Sequence, residues 1–230
     1  KVVSGIADMP EEFWLSYFQY HLLNEKINTN EFEFGPLPVP TVYKNKYLIA
    51  DLSESYSSIN LNNAARVVEN NIELTNGYLN IIDNVLRPPV ITVYATLQRS
   101  GNYNKLLGIF EVTGYTSYLK DSTITLLIES DEALAKSNFS KEDIPNINDW
   151  AKYHIIKDSS YFLNILAGKR FYSLYTREAL SFNVNEFGRY FINDIFPFNQ
   201  DRALGIDKVC SNGIYHTVDT LLQIVEAPPA

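Results

Sequence analysis

Residues 211–222 read Ser-Asn-Gly-Ile-Tyr-His-Thr-Val-Asp-Thr-Leu-Leu, and residues 75–86 read Thr-Asn-Gly-Tyr-Leu-Asn-Ile-Ile-Asp-Asn-Val-Leu. Both segments place an Asn-Gly pair ahead of a run rich in β-branched and aromatic residues, which is typical of a strand. An Asn-Gly pair between two strand-like runs favours a β-hairpin, because both residues tolerate the positive φ of a type I′ turn. The sequence therefore predicts two hairpins with Asn-Gly turns.

A second motif repeats in the same order along the chain. Residues 17–23 read Tyr-Phe-Gln-Tyr-His-Leu-Leu, and residues 150–156 read Trp-Ala-Lys-Tyr-His-Ile-Ile. The difference between residue numbers 154 and 21 is 133 for the two histidines, and the Asn-Gly pairs lie 136 residues apart. Two motifs at nearly one spacing indicate a duplicated, domain-sized unit and not a solenoid of short repeats.

The boundary between the two units is predicted at Arg87-Pro88-Pro89, because proline cannot donate a hydrogen bond to a strand ladder. The first unit then spans residues 1–89 and the second spans residues 90–226. The first is shorter and has no counterpart of residues 90 to about 130. We expect it to be the C-terminal part of a domain that is incomplete at its N-terminus.

Helical and strand patterns occupy separate stretches of the second unit. Apolar residues recur at helical spacing over 90–99 and 102–112, whereas the β-branched run 122–128 predicts a buried central strand. From residue 170 to residue 222 the pattern is mainly that of strands. Helices followed by strands favour an α+β fold over an alternating α/β fold.

Capping residues mark the predicted starts of three helices. Ser130 is expected to cap a helix whose first turn is acidic, and Asn146 or Asn148 a helix that leads to Tyr153-His154. Ser159 or Ser160 is expected to start a third helix.

Composition excludes several classes of function. The chain has 19 Lys and Arg against 27 Asp and Glu, a net charge of −8, so sequence-independent nucleic-acid binding is not expected. One cysteine excludes an internal disulfide framework, and three histidines leave little material for a metal centre. No phosphate-binding loop, dinucleotide-binding glycine pattern or nucleophile elbow occurs. No apolar run approaches the ~18 residues that span a bilayer.

Several of these segments together resemble the fasciclin-type adhesion domain family. The similarity is carried by residues 123–133, 153–154 and 211–219 in the second unit, and by residues 64–68 and 75–83 in the first. It implies a mixed β-wedge with packed helices, in two tandem units. It also implies adhesion or ligand binding outside the cell, without catalysis and without a cofactor.

The function expected from this resemblance is that of an extracytoplasmic, cell-surface or secreted protein, with a bacterial lipoprotein as one setting. Its partner would be a cell-surface or matrix protein, or a glycan. Nucleic acid is not expected, and membrane association would come only from a lipid anchor outside this sequence. The alternative is a structural spacer or an assembly subunit of a surface complex. A small hydrolase fits poorly, since no histidine lies beside a recognisable nucleophile turn.

Candidate binding residues lie at three places, and each has a structural alternative. Tyr153 and His154 are a contact site or a buried hydrogen-bond network. Asp207 and Lys208, before the second hairpin, are an adhesive motif or a solvated turn. The loop over 31–40 mixes aromatics with prolines, so Phe32 and Phe34 either form an exposed contact surface or pack back onto their own sheet.

Two further positions have mainly structural interpretations. His216 and Asp219 differ by an odd number of residues, so on a strand they face opposite sides and are poor partners for proton transfer. We expect Asp219 to satisfy backbone donors at the hairpin. Cys210 is expected to be a small buried residue, because a reactive thiol needs an exposed, electropositive setting.

Overall fold

The computed structural model describes residues 10–55, 58–137, 144, 146–199 and 205–225. The chain divides into two compact units, Lys1–Pro89 and Val90–Ala230. Both units combine helices with β-sheet, which confirms the predicted α+β class.

The first unit is built around one antiparallel sheet with the strand order β1-β2-β3-β4-β5. Its elements are α1 (Glu11–Tyr20), a short 3-10 helix (Thr29–Glu31), β1 (Gly35–Pro36), β2 (Ile49–Ser55), β3 (Ser58–Leu61), β4 (Ala65–Leu74) and β5 (Gly77–Ile82). Among the described residues, β5 pairs with β4 on one side and with no strand on the other. The core of this unit includes Tyr20, Phe32 and Leu86.

The second unit has two four-stranded sheets, with the orders β12-β13-β6-β7 and β11-β10-β9-β8. Its helices are α2 (Val93–Ser100), α3 (Asn104–Val112), α4 (Thr116–Asp121), α5 (Asp131–Lys136), α6 (Ile147–Tyr153) and α7 (Leu163–Leu166). Its strands are β6 (Ile124–Glu129), β7 (Ile155–Lys157), β8 (Lys169–Tyr172), β9 (Ala179–Val184), β10 (Tyr190–Ile192), β11 (Phe196–Pro197), β12 (Lys208–Cys210) and β13 (Gly213–Val218).

Strand β6 is the centre of the second unit, as the β-branched run predicts. It pairs in parallel with β13 and antiparallel with β7, and all of its residues are buried. Because side chains alternate along a strand, β6 serves two cores. Ile124, Leu126 and Ile128 belong to the core formed with α2, α3 and α4, whereas Leu127 belongs to the core formed with the second sheet.

Two of the predicted helix caps are confirmed. The Ser130 hydroxyl accepts a hydrogen bond from the backbone N–H of Ala133 at 3.1 Å. The Asn146 side chain accepts one from the N–H of Asp149, also at 3.1 Å. Each bond satisfies a backbone donor that the helix itself leaves without a partner.

The predicted Asn-Gly turns are wrong in detail, although both hairpins form. Each glycine already pairs with the residue three positions before it, so the turn consists of the two residues between them. Asn76, Gly77, Asn212 and Gly213 are not among the residues with positive φ. Conformational freedom is therefore not the reason for either glycine.

Close approach of two strands explains Gly213. A Cβ atom at this position would collide with the backbone carbonyl oxygen of Ile124 on β6. Glycine lets the parallel pair start at this point, because it has no side chain on that side. Gly77 at the equivalent place in the first hairpin has nothing within 4 Å of such a Cβ atom.

We predict that Gly213→Ala lowers the free energy of unfolding by about 2–3 kcal/mol, because β13 or β6 must move to admit the methyl group. Gly77→Ala is the matched control and should change stability by less than about 0.5 kcal/mol. Urea unfolding followed by circular dichroism measures both. Equal losses in the two variants would contradict the close-approach explanation.

Candidate functional site

Tyr153 and His154, the first candidate contact residues, are completely buried. His154 Nδ1 lies 2.8 Å from the Trp150 carbonyl oxygen and therefore donates to it, since a carbonyl can only accept. His154 Nε2 lies 3.0 Å from Glu129 Oε2, and Glu129 Oε1 accepts from the N–H of Leu222. The carboxyl thus links the imidazole to a backbone N–H in a buried network.

The Tyr153 hydroxyl accepts a hydrogen bond of 2.9 Å from the Asn193 amide. Asn193 has a positive φ of 53°, and its side-chain oxygen accepts from the N–H of Ser181. In the first unit Tyr20 and Asn62 form the same bond at 2.9 Å. Burial raises the pKa of Tyr20 to about 12 and also raises the pKa of Tyr153. Both phenols therefore stay protonated as structural bridges.

These contacts agree with the buried-network alternative for Tyr153 and His154. A side chain with no exposed surface makes no direct contact with a partner. The contact interpretation is wrong for this conformation. The polar atoms of Tyr153 and His154 already form hydrogen bonds that join α6 to β6 and to the second sheet.

Asp207 is buried as well, so both sequence interpretations of it, the adhesive motif and the solvated turn, are wrong. With a positive φ of 55°, it directs Oδ1 to the N–H of Leu163 at 2.8 Å. This bond caps α7, which begins at Leu163, so the predicted caps Ser159 and Ser160 are also wrong. The capping residue comes from a distant part of the chain.

The first unit repeats this cap with neutral residues. Asn71 has a positive φ of 54°, and its side-chain oxygen accepts from the N–H of Thr29 at 2.9 Å. Its own N–H donates to the Asn80 side chain at 2.8 Å, as the N–H of Asp207 donates to His216 Nδ1 at 3.1 Å. An uncharged Asn–Asn pair thus makes the bonds that Asp207 and His216 make.

Burial favours the uncharged forms of Asp207 and His216. It raises the pKa of the Asp207 carboxyl and lowers the pKa of the His216 imidazole. The geometry agrees, because His216 Nδ1 accepts from a backbone N–H while Nε2 donates to the Tyr161 carbonyl at 2.9 Å. A neutral imidazole satisfies both bonds.

The side chains of Asp219 and His216 bond to different partners. The Asp219 side chain accepts from the Asn199 amide at 2.7 Å. The equivalent Asp83 in the first unit accepts from the backbone N–H of Arg66 at 2.7 Å. This is the bond to a backbone donor that we expected Asp219 to make. The position that matches Arg66 is Pro197, which has no N–H, so a side-chain amide takes over as donor.

Of the remaining candidates, the structure buries one and exposes another. Phe32 is only 8% exposed and belongs to the core of the first unit, so its contact interpretation is wrong. Phe34 is 38% exposed and keeps a surface that a partner can reach. Lys208 is half-buried on β12. Cys210 is buried, as predicted.

A more exposed aromatic residue was missed by sequence reasoning. Phe187 is 79% exposed at the tip of the hairpin between β9 and β10. The side-chain oxygen of Asn185 accepts from the N–H groups of Phe187 and Arg189, at 3.0 and 2.9 Å. The signal available was the segment Asn-Glu-Phe-Gly between two strand-like runs, where Asn and Gly favour a turn.

The three histidines are all used as structural bridges. His21 Nδ1 donates to the Tyr17 carbonyl at 2.7 Å, and Nε2 accepts from the N–H of Leu86 at 3.2 Å. Like His154 and His216, it bonds through neither ring nitrogen to a hydroxyl or thiol of the described residues. Within the described parts of the chain, no group of three or more His, Cys, Asp or Glu residues is placed to hold a metal ion.

An open cavity of about 610 Å³ lies in the first unit. Residues 21–27 line it, together with most of β5 and the apolar side chains Leu37, Leu61 and Leu86. It is a concave, largely apolar candidate site of this unit. Across the described ranges, no helix is long and apolar enough to cross a membrane.

We predict that Asp207→Asn raises the free energy of unfolding at neutral pH, because Asn keeps the acceptor for Leu163 without a buried carboxylate. Burial raises the pKa of Asp207 in the folded protein above its ordinary value. As the pH falls, the carboxyl therefore becomes neutral in the folded protein before it does so in the unfolded chain, and the cost of burying its charge disappears. The advantage of the Asn variant therefore shrinks towards about pH 4. Urea unfolding across this range measures the difference.

Two further variants control this prediction. Asp207→Ala removes the acceptor and should cost about 1–2 kcal/mol. Asn71→Asp introduces the carboxylate into the equivalent cap of the first unit and should destabilise at neutral pH. A stabilising Asn71→Asp would contradict the argument.

The bridge through Glu129 gives a second prediction. Glu129→Leu leaves His154 Nε2 and the N–H of Leu222 buried without a hydrogen-bond partner, and should lower the free energy of unfolding by about 3–5 kcal/mol. Glu129→Gln retains an acceptor for Leu222 and a donor for His154, so its loss should be smaller. The same urea experiment tests both, and equal losses would show that the bridge is not the cause.

Comparison with known proteins agrees with this repeated arrangement. A sequence model of the fasciclin domain matches residues 8–88 and 101–224. Transforming growth factor-beta-induced protein ig-h3 of Sus scrofa is 24% identical over 214 residues, which is 90% of this chain and 30% of that protein. Stabilin-2 of Rattus norvegicus is 23% identical over 196 residues, which is 74% of this chain and 13% of that protein. The chain thus spans under a third of the length of these relatives.

Among solved structures, a FAS1 domain pair from the insect cell adhesion molecule fasciclin I superposes with a TM-score of 0.48 at 22% identity. The superposition covers 91% of this chain and 79% of that one. Because the domain matches cover most of the sequence in two segments, the chain belongs to the fasciclin domain family.

Proposed function

We propose that this chain is a non-enzymatic adhesion or ligand-binding protein that works outside the cytoplasm, at a cell surface. Its family is one of adhesion proteins, and two relatives of this kind match it over most of its length. The partner is a cell-surface or matrix protein that contacts exposed side chains of the fold.

The observation that carries this proposal is the contrast between the ionisable groups and the exposed aromatic. His154, Glu129, Asp207 and His216 are buried and bonded to one another or to backbone groups. Phe187, in contrast, has most of its side chain in solvent, while its backbone N–H is fixed by a hydrogen bond to the Asn185 side chain. Recognition by surface contact suits this division better than acid–base chemistry does.

The Phe187 hairpin has the composition of a contact anchor. An aromatic ring on a fixed backbone loses little conformational entropy when it enters a partner's pocket. Glu186 and Arg189 flank it and are exposed, so they supply the polar rim that usually surrounds such an anchor. Phe34, in the loop before β1, is an exposed aromatic of the first unit.

A structural spacer or assembly subunit is the second candidate function. No strand of the described residues pairs with the outer side of β5, and an unpaired strand edge is a template for pairing with another chain, which favours this role. Concentration-dependent self-association would support it over adhesion.

The adhesion proposal predicts that the immobilised chain retains cells or matrix proteins, and that Phe187→Ser weakens this retention by about tenfold or more. Surface plasmon resonance against matrix proteins, together with a cell-attachment assay, measures the change. Val112→Ser is the matched control, because Val112 is 74% exposed but lies at the end of α3. Binding confined to a glycan array would replace the protein partner with a sugar. Retention unchanged by Phe187→Ser and by Phe34→Ser would contradict the proposed surface.

A further inference from the structure

Three basic residues surround the hairpin between β9 and β10 in the second unit. Arg189 lies directly before β10, and Lys169 and Arg170 are the first two residues of β8. All three are exposed, and none forms an ion pair with an acidic side chain of the residues that the structure describes. The chain as a whole has a net charge of −8, so this local surface has the opposite sign.

Strand register places these charges at the hairpin end of the sheet. Strand β9 runs towards the hairpin tip and ends at Val184, which pairs with Tyr190 of β10, next to Arg189. On the other side of β9, Lys169 lies opposite Phe182, two residues before that end. Diagonal neighbours of this kind are about 7–8 Å apart, so basic residues flank the end of β9 from both adjacent strands.

The middle of this charged surface is apolar. Phe187, at the hairpin tip, is 79% exposed, and Val184 is 44% exposed. Val184 continues the alternation of Leu180 and Phe182, which are completely buried, so it lies on the core face of β9 but extends beyond the core. An apolar centre with a charged margin is the usual arrangement of a protein interface.

The fold does not require basic residues at these positions. The first two residues of β8 correspond to Gly35 and Pro36 of β1, because the N–H groups of Ile49 and Ser181 on the neighbouring strands make the same bond to the bridging asparagine of each unit. Lysine on an edge strand also discourages unwanted pairing, but Arg189 precedes an inner strand, to which this explanation does not apply. The charges are therefore available for recognition.

The exposed residues described above form one surface, which we call the Phe187 surface: Lys169, Arg170, Val184, Phe187 and Arg189. We propose that it binds an acidic polypeptide segment of a partner protein. The segment places an apolar side chain against Phe187 and its carboxylates beside the three basic residues. This inference rests on the proposed adhesion function and adds to it the chemistry of the partner.

A polypeptide fits this surface better than an anionic lipid layer or a sulfated glycan. Glu186 is exposed beside Phe187, so insertion of the tip into a lipid layer would bring its carboxylate against the anionic headgroups. A sulfated glycan would pair with the basic residues but offers no apolar side chain to Phe187. A polypeptide supplies both groups, and its carboxylates pair with guanidinium groups through two parallel hydrogen bonds.

The test starts from a phage library of random short peptides, selected on the full chain and counter-selected on the Phe187→Ser variant. We expect the enriched sequences to combine Asp and Glu with an apolar residue. A fluorescent peptide of the enriched sequence should bind in an anisotropy titration, about fivefold or more weakly at about 500 mM than at about 50 mM NaCl. Neutral or basic enriched sequences, or none that distinguish Phe187→Ser, would overturn the proposal.

Charge variants locate the peptide on the surface. Lys169→Glu combined with Arg189→Glu should weaken peptide binding by about tenfold or more, whereas Glu186→Gln should strengthen it by about twofold. Arg177→Glu is the matched control, because Arg177 is equally exposed but lies in the loop before β9, at the opposite end of the strand. Its effect should be less than about twofold. Equal losses from Arg177→Glu and from Lys169→Glu would overturn the assigned position.

The melting temperatures of these variants should match that of the native chain, because the altered side chains are exposed. Cell attachment that requires Phe187 but is unchanged in the Lys169→Glu, Arg189→Glu variant would leave adhesion standing and overturn the acidic partner. Peptide binding without any retention of cells or matrix proteins would support the acidic ligand and count against adhesion. Binding of heparin or of phosphatidylserine vesicles that this variant abolishes, with no peptide selected, would overturn the polypeptide partner.

Discussion

The buried carboxyl of Glu129 is the contact on which the second unit depends most. It ends the central strand β6, and it joins that strand to His154 after α6 and to the N–H of Leu222 after β13. Three elements from distant parts of the chain therefore meet at one group. Removing such a group leaves buried donors that water cannot reach, which costs more than the bond contributes when it is present.

The first unit shows which parts of this arrangement form without the carboxyl. Its helix still ends in a histidine that donates to the preceding turn, and its hairpin still forms with the same two-residue turn. The Tyr20–Asn62 bridge and the Asn71 cap are also present. These devices are local to the half of the fold that both units share. What differs is the burial of β5 and α1, which β6 and its helices supply in the second unit.

The sequence was sufficient for features that depend on neighbouring residues. The buried strand at β6, the caps Ser130 and Asn146 and the two hairpins follow from local patterns, and the structure confirms them. The repeat of the Tyr-His motif also indicated a common role for the two histidine-bearing helices. For the caps and the hairpins, the pattern and its cause lie within a few residues of each other.

The errors arose where the cause lies far away in the chain. Asp207 caps a helix that begins 44 residues earlier, so nothing beside it in the sequence identified its partner. Gly213 is required by a carbonyl on β6, and not by its own φ. Phe32 packs into a core formed by the whole first unit. Proximity of this kind is a property of the tertiary fold, which residue patterns do not contain.

The repeated caps bear on how such a fold recognises other molecules. Asp207 and His216 in one unit do the work of Asn71 and Asn80 in the other, with bonds of similar length. A role that an amide fills as well as a carboxylate or an imidazole requires hydrogen-bond geometry and not proton transfer. The buried pair Asp207 and His216 thus has a structural role that an amide pair can fill. Differences in recognition between the units must then come from the side chains that they expose, such as Phe187 at a hairpin tip in one and Phe34 in a loop of the other.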